Sequence, residues 1–161
     1  VLMTKTWLFI TDAAFVSKLA KSIPPAFFLY AAPVAAGPMM VGLLITYGEV
    51  VWLFTAFLAM SLGIMVDFNF AFMIVTFVGG IAAARGVYGC KTRNDIYWAG
   101  VRAGIINALM IGFVLFISKF DQEIVWREIL WPIPAGFLGG IFSSLVAMMF
   151  IPLLESLFNY T

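Results

Sequence analysis

The sequence predicts an all-α protein, a polytopic transmembrane helical bundle of about six spans. Three observations carry this. The 161 residues are 64% hydrophobic and only 11% charged, with a mean hydropathy of +1.09; soluble domains carry about 25% charged residues. So apolar a chain cannot cover its surface in water, and its solvent is lipid. The apolar residues also come in runs of about 20, the length a helix needs to cross a bilayer. None of these runs alternates with the period of two that marks a barrel strand. The helix is then the form that satisfies every backbone group in hydrocarbon.

The runs follow one another along the chain. The first covers residues 1–20 and holds Lys5, Asp12 and Lys18. These recur about every seven residues, on one helical stripe. The stripe fits a span with its polar side toward the bundle and its lysines reaching opposite surfaces; a helix lying on the membrane surface is the rival reading. The second run covers residues 25–47. Pro24-Pro25 starts it, where the missing N–H groups cost nothing. Pro33 and Pro38 inside it predict a kink, or an unwound stretch lining a cavity. The third and fourth runs are residues 49–66 and 68–86, the fifth is 96–118, and the sixth is 128–158. At about 1.5 Å per residue the sixth is longer than a bilayer core of about 30 Å. It must tilt, break near Pro132 and Pro134, or project beyond the membrane, and Pro152 can kink it.

The connections are short. Tight turns at Thr46-Tyr47-Gly48-Glu49 and Asp67-Phe68-Asn69 make runs two to four an antiparallel series. Nothing divides the chain, so residues 1–161 read as a single domain. Arg85, Lys91 and Arg93 cluster in the longer loop 85–95, which the positive-inside rule assigns to the cytoplasm. That puts loop 120–128 outside and both ends inside, in a cell membrane crossed many times. Trp7, Trp52, Trp98, Trp126 and Trp131 fall mainly near span ends, as an aromatic belt does.

Much chemistry is excluded. Histidine is absent, which removes His-based triads, His general bases and mixed His/Cys zinc sites. No catalytic, cofactor-binding or metal-ligating residue is expected. A net charge of +1 argues against a nucleic-acid partner. The single Cys90 makes no disulfide within the chain, and a lipidation site beside Lys91 rests on too weak a motif to favour. Asn159-Tyr160-Thr161 fits the glycosylation sequon, which a cytoplasmic end would never use.

The candidate functional residues lie in the runs. Gly136, Gly140 and Ser144 recur every four residues in the sixth, with Gly139, Ser143 and Ala147 as the neighbouring row. Gly100, Gly104 and Ala108 keep the same rhythm in the fifth. Such rows let helices approach closely in lipid, either within the chain or as a homodimer seam. Asp12 and Asn107 are the candidate intramembrane polar site, a thin set for a transporter of protons or charged substrate. Pro152 and Glu155 mark a candidate signalling joint at the end of the last run.

Certain stretches have a further likeness: Ala32-Pro33-Val34-Ala35-Ala36-Gly37-Pro38-Met39-Met40, the Gly79-Gly80 turn of small residues leading to Arg85, Lys91-Thr92-Arg93-Asn94-Asp95, residues 99–107, and Pro152-Leu153-Leu154-Glu155-Ser156-Leu157-Phe158. In this order and spacing, over residues 25–158, the chain resembles the membrane domain of the seven-transmembrane HD receptors of bacteria. The resemblance implies an extracellular domain before this block and a metal-dependent HD phosphohydrolase acting on cyclic di-AMP after it. It also implies a further span ahead of Val1. The divalent metals would belong to that hydrolase, and no active-site residue falls within these positions. Val1 and the short ending after Phe158 read as cuts through a longer protein. The expected role is a sensor and anchor relaying a signal to the hydrolase, with Gly140→Leu altering output in a receptor that still accumulates. The alternative is a small-molecule-binding module similar in size to the substrate-capture subunits of vitamin importers, which needs convergent polar groups in one pocket.

Overall fold

The computed structural model describes residues 25–45, 47–118 and 126–158. The first expected run, with Lys5, Asp12 and Lys18, lies outside them. The described residues form helices α1 (Pro25–Tyr30), α2 (Ala36–Leu44), α3 (Gly48–Met65), α4 (Phe70–Val87), α5 (Arg93–Ser118), α6 (Trp126–Leu130) and α7 (Pro132–Phe158). Among the described residues four helices are long and apolar enough to cross a membrane: α3, α4, α5, and α7 together with the end of α6.

The second run is the correction to the expected count of continuous spans. It is not one helix but two short ones, α1 and α2, separated by residues 31–35. Pro33 explains the break. It has no N–H to donate, and its ring disfavours helical backbone at Ala32. The Val34 N–H bonds the Ala32 carbonyl at 2.8 Å instead, a tight turn outside the helical pattern. Pro38 causes no second break, since it falls in the first turn of α2, where no intrahelical donor is required. The sixth run also breaks, at Trp131 just before Pro132. Beyond that, α7 carries Pro152 in its interior and continues to Phe158.

Packing fixes the topology. Phe27 meets Trp131 at one end, with ring centroids 6.0 Å apart, and Tyr30 meets Phe72 at 5.8 Å. Toward the other end Gly42 lies against Ala84. The broken run therefore runs parallel to α4 and α7, while α3 and α5 run antiparallel to them. The run, α4, α5 and α7 form a closed ring, and α3 packs outside the run and α4. One buried cluster fills the Trp131 end, around Tyr30, Leu62, Phe72 and Ile111. Another fills the opposite, Arg85 end, around Met39, Val87, Ile96 and Ala147. The loop after α4 and the last turns of α7 thus share one end of the bundle.

The outer surface is apolar. Leu53 and Phe57 are each 73% exposed and Met149 75%, which only lipid or another apolar partner can cover. The turns are built from local polar chemistry. Asn69 caps α4, its Oδ1 accepting from the Phe72 N–H at 3.0 Å. Asp67 and Phe68 before it take left-handed backbone, with φ of 50° and 56°. Ahead of α5, Thr92 and Asp95 make a reciprocal cap. Asp95 Oδ2 accepts from the Thr92 N–H at 2.9 Å and the Lys91 N–H at 3.2 Å. The Asp95 N–H donates to Thr92 Oγ1 at 3.2 Å. This is the capping-box arrangement with a shorter acid.

Candidate functional site

The densest contact in the bundle is the α5–α7 seam. The small residues of both runs meet there. A Cβ added to Gly140 would overlap the backbone of Gly104, and one added to Gly100 would overlap the Ser144 side chain. At Gly104 it would lie 2.6 Å from the Phe137 carbonyl oxygen, and at Gly136 it would overlap Ile111. Gly100, Gly104, Gly136, Gly140 and Ser144 are all buried. Their contacts are within the chain, and α5 and α7 cover them. Helices with such faces approach to backbone distance, which maximises dispersion contacts where lipid offers no hydrophobic driving force.

The neighbouring row of α7 turns to the broken run. A Cβ on Gly139 would stand 2.7 Å from the Tyr30 carbonyl oxygen and 3.3 Å from that of Ala32. The bend in the second run thus rests on a glycine of the last helix. Both carbonyls lie at the break, where helical pairing stops.

Polar groups inside the ring are mostly satisfied by their own helices. Ser143 Oγ donates to the Gly139 carbonyl at 2.7 Å and Ser144 Oγ to that of Ile141 at 2.8 Å. On α3, Thr55 Oγ1 donates to the Val51 carbonyl at 2.6 Å. Such back-bonding lets a hydroxyl sit in a dry interior. Asn107 differs. Its Oδ1 is buried without a hydrogen-bond partner and lies where a Gly79 side chain would be. Beside it is a space of about 20 Å³ lined also by Tyr30 and Thr76, room for one or two water molecules. A larger cleft of about 210 Å³ at the break, between Pro33, Met40, Leu58 and Phe150, has an apolar side-chain lining throughout.

The remaining sequence candidates are not gathered into one site. Asp12 lies outside the described residues. Pro152 is exposed on α7, and Glu155 follows within the same helix. Glu49, Asp67, Arg85 and Asp95 are exposed at helix ends. Among the described residues no three His, Cys, Asp or Glu side chains come together. Two features escaped sequence reasoning. The Gly139 contact with the break could be suspected from its place in the small-residue row, but not its partner. The signal for the Thr92/Asp95 cap is the Thr-x-x-Asp spacing ahead of an apolar run.

This geometry defines a multi-pass helical membrane domain whose last helix packs through glycine on both neighbours. The model of one protein family, described as the 7TM receptor with intracellular HD hydrolase, matches residues 1–161. The chain belongs to this family, as its membrane domain. No curated protein and no solved structure matches it.

Proposed function

We propose that the chain is the membrane sensor and relay of a receptor whose intracellular HD hydrolase acts on cyclic di-AMP. The family name supplies the receptor and the hydrolase; the direction of relay and the substrate are our reading. One observation carries the relay. Helix α7 is continuous for 27 residues, about 40 Å, longer than the hydrocarbon core of about 30 Å. Along that length it touches α5 through Gly140 and the broken run through Gly139. A rod held by backbone-to-backbone contacts can shift as a unit when its neighbours rearrange. At the proline break the backbone inside the ring is not held in a helix. A stimulus acts through this joint only by binding two packings unequally.

The vitamin-importer alternative is less well supported. It needs convergent polar groups, and the cleft at the break has none on its side chains.

In this reading the 85–95 loop and the end of α7 face the cytoplasm of a cell (inner) membrane, following the positive residues of that loop. The test is rotation of the output helix in the full receptor. Inserting one alanine immediately after Phe158 turns everything beyond it by about 100°, and four alanines by about 400°, only about 40° past a whole turn. Hydrolase output should change with one and return toward normal with four. The soluble hydrolase alone should be indifferent to the same additions. Output unaffected by every insertion makes α7 a plain anchor and ends the relay reading.

A further inference from the structure

A cleft of about 440 Å³ opens at the Arg85 end of the bundle, between α2, α3 and α4. Its volume falls in the range of small-molecule sites, about 300–1,000 Å³. The walls differ from top to bottom. Near the end of the bundle stand Arg85 and Tyr88, both exposed. The aliphatic side chains of Ile45, Val51 and Ile81 line the rest, with Ile81 one turn of α4 further into the bundle than Arg85. Trp52 closes one side, half exposed, with its ring edge-on to Phe77 at 6.2 Å. Glycine shapes the space. Gly42 presses on the Ala84 backbone, where a Cβ would stand 2.8 Å from the carbonyl oxygen, whereas a Cβ on Gly48 meets nothing within 4 Å.

The electrostatics select an anion. Among the described residues Arg85 is the only charged one in the lining, and it forms no ion pair with any of them. Lys91 and Arg93 are exposed at the same end. Of the acids there, Asp95 already accepts two backbone N–H groups in its cap. Glu49 is exposed beside the cleft but does not line it. A guanidinium at the membrane border suits a phosphate oxygen pair, and aromatic side chains at that level have one apolar and one wet side.

We propose that this cleft binds one anionic phospholipid, with its phosphate on the Arg85 guanidinium and the upper part of an acyl chain against Ile45, Val51 and Ile81. The apolar walls decide for a lipid over a free phosphate, which would leave them uncovered. The opening next to lipid-facing Leu53, 73% exposed, gives a chain its way out. The site is independent of the relay reading, since it needs neither the hydrolase nor a shift of α7.

The test uses the purified protein in detergent, titrated with phosphatidylglycerol, with phosphatidylcholine and with inorganic phosphate, and read by native mass spectrometry. Wild type should hold one phosphatidylglycerol more tightly than phosphatidylcholine. Arg85→Gln should weaken it about fivefold, the worth of one cation at a lipid surface, without changing the thermal midpoint. Gly48→Leu fills the cleft from an open position and should remove the bound lipid. Equal retention of the two lipids, or phosphatidylglycerol binding untouched by Arg85→Gln, overturns the proposal. Displacement of the lipid by inorganic phosphate alone overturns the commitment to a lipid.

Discussion

Asn69 and Asn107 show how the same side chain is used in opposite ways. At the mouth of α4, Asn69 satisfies a backbone N–H that the helix start leaves over. Asn69→Ala should cost about 1 kcal/mol, read as a lower thermal midpoint in detergent. In the ring, Asn107 Oδ1 has no partner, and a buried unpaired acceptor is unfavourable. Replacement by the similar-sized Leu should leave stability unchanged or raise it. A loss of more than about 1 kcal/mol would show that Oδ1 is paired after all, by water in the space it shares with Tyr30 and Thr76. Cys90 gives a third case. Its thiol donates to the Gly86 carbonyl at 3.4 Å. Burial, then the nearby Asp95 carboxylate, push its pKa up, with Arg102 pulling the other way. Thiolate is the reactive form, so alkylation should be slow at neutral pH and climb only above the usual thiol range. A half-maximal rate at or below that range would contradict the assignment.

For the helices, the prediction concerns which glycines matter. Gly140→Ala places a methyl on the Gly104 backbone and must separate α5 from α7, at a cost of about 1–3 kcal/mol or more. Gly112→Ala, on α5 as well, meets only Ile133 at 3.4 Å, an ordinary contact, and should be close to neutral. The pair can be compared by thermal unfolding in one detergent; equal effects would mean that the seam does not pack as described. The same geometry revises the expectation for Gly140→Leu. A leucine is larger still, so its first effect should be poor accumulation, and the output of the receptor is better probed by insertions after Phe158. The seam also explains how α5 and α7 hold together while apolar all round: shape, rather than an amphipathic stripe, sets their orientation.

At the scale of the molecule, the ring of broken run, α4, α5 and α7 places the basic loop and the end of α7 on one side. The predicted topology follows from that placement and the positive residues. In intact cells, an impermeant thiol reagent should miss a cysteine introduced at Thr92 in a background with Cys90 replaced, and should reach it once the membrane is opened. Labelling from outside would invert the bundle and put the hydrolase on the wrong side of it. The alternation of crossings would survive, because it rests on contacts such as Gly42 with Ala84 and Gly140 with Gly104.

The solvent, the helical class, the positions of the long runs and the rows of small residues could all be read along the chain. These depend on composition and on spacing along one chain, which lipid reads directly. The bounds of α3, α4 and α5 fall within a few residues of the apolar runs for that reason. Whether Pro33 kinks or breaks its helix was settled by packing against α4 and α7, because either outcome obeys the local rules. Tertiary packing alone paired Gly140 with Gly104 and Gly139 with the carbonyls of the break, since a small-residue row names no partner. It likewise assembled the Arg85 cleft from three helices. No single stretch of sequence contains that site, because its walls come from three helices, drawn together where Gly42 meets Ala84 and left open at Gly48.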